Sequence, residues 1–285
     1  MTPGIGLALI AMVCFGAGDL VYKRAAAAGI TARHFLMLQA WCFCPIVTAY
    51  ALVRGQLVLA PAALWGALAG LFMFIAFYQF SQSLSTGSIS TNAPIFRLSF
   101  TLTAALAVWL LGEPLTLTKL IGLSLSFVAV WALAGEAPEH SRAPSSTSLG
   151  SLTRVLIATA AAGIGNLLYK VGLLAGAPPE TILATQAWMF CSLGTLVVFL
   201  VDRSVRPPAA GWRYALPVAV ILLAGFIALL HGLDVGPASV LIPVAQLGFV
   251  FTALLGRLLF GEALSWRKRS GLVAAAAALG ALAVS

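Results

Sequence analysis

The sequence predicts an all-α integral membrane protein, with ten transmembrane helices arranged as two inverted five-helix repeats. Three observations carry this: the composition, a series of ten apolar runs, and a second half that repeats the first. Of 285 residues, 61% are hydrophobic and only 8% are charged. A soluble domain carries about 25% charged residues. So few charges cannot build a water-facing surface, and lipid is the apolar solvent extensive enough to accept the remainder.

In hydrocarbon the backbone must hydrogen-bond to itself, so apolar runs of roughly 20 residues become helices. The runs are 5–28, 34–53, 62–83, 89–111, 117–134, 153–175, 181–201, 212–233, 238–260 and 268–284. No basic stretch precedes the first run, which holds Asp19 and Lys23, so it reads as a span and not as a cleaved leader. Residues 135–152 are polar and rich in Ser, Pro and Gly, which marks a linker at the midpoint. The chain therefore divides into a first repeat at 1–134, the linker at 135–152 and a second repeat at 153–285.

The repeat is read directly from identities in register. At an offset of 147, Gly16, Gly18, Tyr22, Lys23, Gln39, Trp41 and Cys44 fall on Gly163, Gly165, Tyr169, Lys170, Gln186, Trp188 and Cys191. After a two-residue insertion the offset becomes 149, and Ser90, Pro94, Phe100, Gly112, Glu113 and Gly122 fall on Ser239, Pro243, Phe249, Gly261, Glu262 and Gly271. A five-helix unit has an odd number of spans, so its second copy enters the membrane from the opposite side. Inverted repeats of this kind place a site near the midplane, at the interface between the copies.

The duplicated units, the ten spans and the elements GEPLT (112–116) and GEALS (261–265) resemble the drug/metabolite transporter superfamily, and within it the EamA-type transporters. The resemblance covers almost the whole chain. It implies a protein of the plasma membrane, the bacterial inner membrane in particular, that translocates a small metabolite, with both termini in the cytoplasm. The basic residues argue for the other orientation. Arg33, Arg142, Arg154, Arg203, Arg206, Arg213, Arg267, Lys268 and Arg269 lie in the odd-numbered loops, against Arg54 and Lys119 in the even ones. The positive-inside rule then places both termini outside. The two readings agree that the termini share a side.

Net charge is +8. The basic residues sit between apolar runs, so they read as markers facing lipid headgroups and not as a nucleic-acid surface. Cys14, Cys42, Cys44 and Cys191 lie in apolar runs without metal-type spacing and read as small fillers. No metal, cofactor or catalytic residue is expected, and no phosphate-binding loop for direct ATP coupling is present.

Candidate binding residues are polar groups inside spans, where each is costly unless it faces a cavity or a partner. Lys23 and Lys170 either snorkel to the interface or enter a cavity. Asp19 is four residues from Lys23 and is read first as its ion-pair partner, second as a proton carrier; its counterpart is Asn166. Arg97 lies about 12 Å into the fourth run at ~1.5 Å per residue and reads as cavity-facing; its counterpart is Gln246. Tyr22 and Tyr169 are belt or pocket residues. Gln39 and Gln186 either bind helices together or contact a ligand, and Trp41 and Trp188 either stack on substrate or anchor at the interface. Pro94 and Pro243 are candidates for helix bending and gating. Glu113 and Glu262 read as corner residues at span ends, and His231 and Asp234 as solvated. The expected function is a secondary transporter of a carboxylate- or phosphate-bearing metabolite, such as an amino acid, working by alternating access through a central cavity. Its partners are the small-molecule substrate, membrane lipids and a proton or counter-substrate. The alternatives are an intramembrane enzyme and a lipid-flipping or structural subunit.

Overall fold

The computed structural model describes residues 3–86, 89–133, 149–248, 250–251 and 266–284. The described helices are α1 (Pro3–Ala27), α2 (Ala32–Val53), α3 (Ala63–Thr86), α4 (Ile89–Arg97), α5 (Ser99–Leu111), α6 (Leu117–Leu133), α7 (Leu149–Leu174), α8 (Pro179–Asp202), α9 (Trp212–Val235), α10 (Ala238–Gln246) and α11 (Trp266–Ala283). Six of them, α1, α2, α3, α7, α8 and α9, are long and apolar enough to cross a membrane. Each of the ten predicted runs contains described helix. The fourth run is split into α4 and α5. Much of the ninth run, the element Gly261–Glu262 and residues 134–148 of the linker lie outside the described residues.

One boundary differs from expectation. The linker was expected to reach residue 152, yet α7 begins at Leu149. Ser151, which looks like linker, is absorbed by helix contacts. Ser151 is fully buried, donates to Ser83 O at 2.8 Å and accepts from Asn92 Nδ2 at 2.8 Å. Thr153 donates to Leu149 O one turn back.

Packing crosses between the halves. Helix α3 lies against α7 and α8, α1 against α9 and α10, α2 against α8 and α9, α5 against α7 and α10, and α6 against α11. Taken span by span, with α4 and α5 together as the fourth and α10 as the described part of the ninth, exchanging each span for its counterpart in the other half leaves this set of neighbours unchanged. The aromatic core behaves alike: Phe43 meets Phe226 at 6.1 Å, and their counterparts Phe190 and Phe77 meet at 6.2 Å, both edge-on. Close approach depends on glycine at one crossing: a Cβ on Gly248 would lie 2.8 Å from Met12 O and 3.0 Å from Gly16 N on α1.

The seam between α2 and α8 fixes the direction of these helices. Arg33 makes a two-pronged ion pair with Asp202 at 2.7 and 2.9 Å. Further along, Trp41 Nε1 donates to Thr195 Oγ1 and Trp188 Nε1 to Thr48 Oγ1, each at 2.8 Å. Arg54 Nε lies 3.9 Å from Glu180 Oε1 at the far end. Residue numbers rise along α2 as they fall along α8, so the two run antiparallel over their length.

The corner after α5 is a second tie. Gly112 ends α5 with φ 66°, a left-handed conformation that glycine adopts without strain. This aims Glu113 at the start of α10. Its carboxylate accepts from Ala238 N at 2.7 Å, from Ser239 N at 2.9 Å and from the Ser239 hydroxyl, capping the helix and meeting its positive end. Lys119, expected at the headgroups, is instead 2% exposed. Its Nζ donates to Pro114 O at 2.9 Å and Ser239 Oγ at 3.0 Å. The carboxylate and carbonyl oxygens gathered there make burial of a lysine tolerable.

Two outcomes follow from these ties. Glu113→Ala strips the cap from α10 and is expected to lower stability by about 2 kcal/mol in thermal unfolding in detergent, with Glu113→Gln losing less. Thr48→Ala and Thr195→Ala each remove one indole acceptor and should cost about 1 kcal/mol apiece, equal within error. A large inequality would show that the two bonds are not equivalent.

Candidate functional site

The site is built on two interrupted helices. Helix α4 stops at Arg97 and α5 starts at Ser99, leaving Leu98 as the break. Helix α10 stops at Gln246, with Leu247 after it. Leu98 and Leu247 are repeat counterparts, each four residues beyond Pro94 or Pro243. At each break the amide turns back to a carbonyl three residues earlier: Leu98 N to Ile95 O at 3.1 Å, and Leu247 N to Val244 O at 3.2 Å. Nine residues at ~1.5 Å each put the breaks about 14 Å from the helix starts, near the middle of a hydrocarbon core ~30 Å thick.

Arg97 and Gln246, the last helical residues before the breaks, meet there. Arg97 Nη1 lies 3.4 Å from Gln246 Oε1, and Arg97 Nη2 donates to Asp19 Oδ2 at 2.9 Å. Asp19 comes from α1, so three elements converge on one guanidinium. Spacing along one helix pointed to Lys23 as a partner of Asp19; folding adds Arg97, 78 residues away in sequence. Lys23 itself is exposed near the end of α1, four residues before Ala27.

Around this cluster the two halves differ. In the first, Tyr22 OH donates to Gln39 Oε1, with Tyr22 edge-on to Phe35 at 4.9 Å. In the second, Tyr169 and Gln186 are 0% and 6% exposed, and Tyr169 OH and Gln186 Oε1 have no hydrogen-bond partner among the described residues. Asn166, the counterpart of Asp19, is also buried, with Nδ2 unpartnered. Buried polar atoms left unpaired each cost about 1–3 kcal/mol, so three in the second half call for an explanation.

Other candidates are placed away from this cluster. Lys170 Nζ donates to Leu233 O at 2.5 Å and Gly236 O at 2.9 Å, a cation on the carbonyl end of α9. Trp41 and Trp188 spend their indole N–H groups on the α2–α8 seam. Sequence reasoning treated His231 as solvated and did not single out Glu180. Yet Glu180 is 3% exposed in the first turn of α8, with His231 Nε2 3.3 Å from its Oε1. The only signal was a carboxylate directly after Pro178–Pro179, where a helix begins. Among the described residues, no cluster of three or more His, Cys, Asp or Glu is arranged to hold a metal ion.

No curated protein matches this chain. Solved structures do. One, titled "Crystal structure of protein", is 17% identical with a TM-score of 0.81, over 99% of this chain and 95% of that one. Identity at that level speaks for the fold alone. The model of the EamA-like transporter family matches twice, over residues 2–135 and 150–284. With its apolar helices and both halves matched, the chain is a multi-pass membrane protein that belongs to the EamA-like transporter family.

Proposed function

We propose that this protein is a secondary transporter that moves a small carboxylate-bearing metabolite, such as an amino acid, across the bacterial inner membrane by alternating access. The observation that carries this reading is the Asp19–Arg97 pair, whose side chains are 37% and 26% exposed although both lie inside spans. Charges at that depth facing lipid are costly, so their open faces line water. This supports an aqueous cavity between the halves, at the level of the two helix breaks. Discontinuous helices at the midplane are where transporters of this architecture bind their cargo.

The copies are inverted, with both termini on one side. Antiparallel α2 and α8, each the second span of its half, support this. So does a set of helix neighbours that survives exchange of the halves. Arg97 is the substrate anchor, since a guanidinium holds a carboxylate with two parallel bonds. It is already paired with Asp19, so an incoming carboxylate displaces Asp19, which then takes up a proton and couples transport to the proton gradient. Lys170 is engaged at the end of α9, which leaves Arg97 and Asp19 as a near-neutral pair suited to a zwitterion more than to a phosphate.

The unequal Tyr–Gln pairs fit alternating access. In the state seen here Tyr22 and Gln39 are joined, while Tyr169 and Gln186 are apart and unsatisfied. In the opposite-facing state the halves trade conformations: Tyr169 joins Gln186, and the first pair opens. The orphaned atoms in one half are thus partners waiting for the other state, and the exchange keeps the two states close in energy.

Two measurements test the reading. In proteoliposomes, Arg97→Gln should reduce counterflow of the carboxylate substrate by more than about tenfold, a loss of at least ~1.4 kcal/mol of binding. Asp19→Asn should keep counterflow but lose uptake driven by a proton gradient. Wild-type counterflow that Arg97→Gln leaves intact removes the assignment. Tyr22→Phe should raise backbone hydrogen exchange around position 22 and lower it around 169, and Tyr169→Phe should do the reverse. Shifts in the same direction would contradict the exchange of hydrogen bonds.

A further inference from the structure

The outer face of the α2–α8 seam carries a feature that transport does not use. Cys44 lies between Trp41 and Thr48 on α2, and Cys191 between Trp188 and Thr195 on α8. Because Trp41 bonds Thr195 and Trp188 bonds Thr48, the antiparallel register brings the two cysteines opposite each other, midway between those bonds. The two thiols are neighbours that interact electrostatically across the seam. Both are half-buried and line one apolar groove with Trp41, Pro45, Thr48 and Trp212, in which Pro45 is exposed. The Thr48 and Thr195 hydroxyls donate to Cys44 O and Cys191 O at 2.7 and 2.8 Å, holding each turn in place.

We propose that Cys44 and Cys191 form a dithiol site that apolar hydroperoxides, such as oxidised lipid, convert to a disulfide joining the two halves. The groove is lined by exposed apolar residues, Pro45, Ala49 and Leu52 among them, which suits contact with acyl chains, where oxidation leaves such groups. In the first step the Cys191 thiolate attacks the outer oxygen of R–O–O–H. The O–O bond breaks, an S–O bond forms, and the alcohol ROH leaves with the proton. In the second step Cys44 sulfur attacks the sulfenic sulfur of Cys191, the S–O bond breaks and water departs. Two thiols are oxidised and one hydroperoxide is reduced to one alcohol and one water. The proposal does not depend on which solute the protein carries.

The test uses the full chain in liposomes, treated with cumene hydroperoxide or hydrogen peroxide, then alkylated and measured by intact mass and non-reduced peptide mapping. The expected result is loss of two hydrogens, one peptide linking Cys44 to Cys191, reversal by dithiothreitol, and faster reaction with the apolar oxidant. Cys44→Ser should leave a sulfenic acid on Cys191 that dimedone traps, and Cys14→Ser and Cys42→Ser should leave the link intact. Both thiols alkylated at unchanged rates, or a link made through Cys14 or Cys42, would overturn the proposal. Hydrogen peroxide outpacing cumene hydroperoxide would overturn the lipid-side route.

Discussion

A polar atom placed in hydrocarbon must find its partner within the protein, and the architecture follows from how that demand is met. Backbone groups meet it inside helices. Side chains and helix ends meet it mainly across the boundary between the halves. Glu113 of the first half covers the start of α10 in the second, while within the second half Lys170 covers the end of α9. The two tryptophans and the Arg33–Asp202 pair bind α2 to α8. Little hydrophobic force separates helix–helix from helix–lipid contact in a bilayer, so these bonds and close glycine crossings set the arrangement.

Seen this way, the molecule is symmetric at its seam and asymmetric at its centre. Where residues serve only to hold helices, the copies agree: tryptophan to threonine twice, and Phe43–Phe226 alongside Phe77–Phe190. Where the helices break, the copies diverge: aspartate against asparagine, arginine against glutamine, a bonded tyrosine against an unbonded one. Divergence at the midplane is what a single cargo site between two scaffolds would produce.

Much of the scaffold was legible in the sequence because it depends on local and repetitive signals. Apolar runs of span length located the helices, and paired identities such as Tyr–Lys and Gln–Ala–Trp located the duplication. The break in the fourth span was foreshadowed by Pro94 but not placed at Leu98, since a proline marks strain without fixing which residue relieves it. Partners were hidden. Asp19 reads as the neighbour of Lys23 because helical spacing is the only geometry a sequence displays; Arg97 reaches it only through folding. Lys119 looked like a loop cation because nothing near it in sequence reveals Ser239, 120 residues away, closing over it. Glu180 beside His231 was missed for the same reason.

Arg97 touches Gln246, and these occupy the same position in the two copies. A position on a two-fold axis meets its own equivalent, so a symmetric dimer of identical half-length chains would set two guanidinium groups face to face there, where like charges repel. Joining the copies into one polypeptide removes that conflict, because each can then change without the other. A single positive charge at the middle of the membrane is thus a privilege of the fused gene.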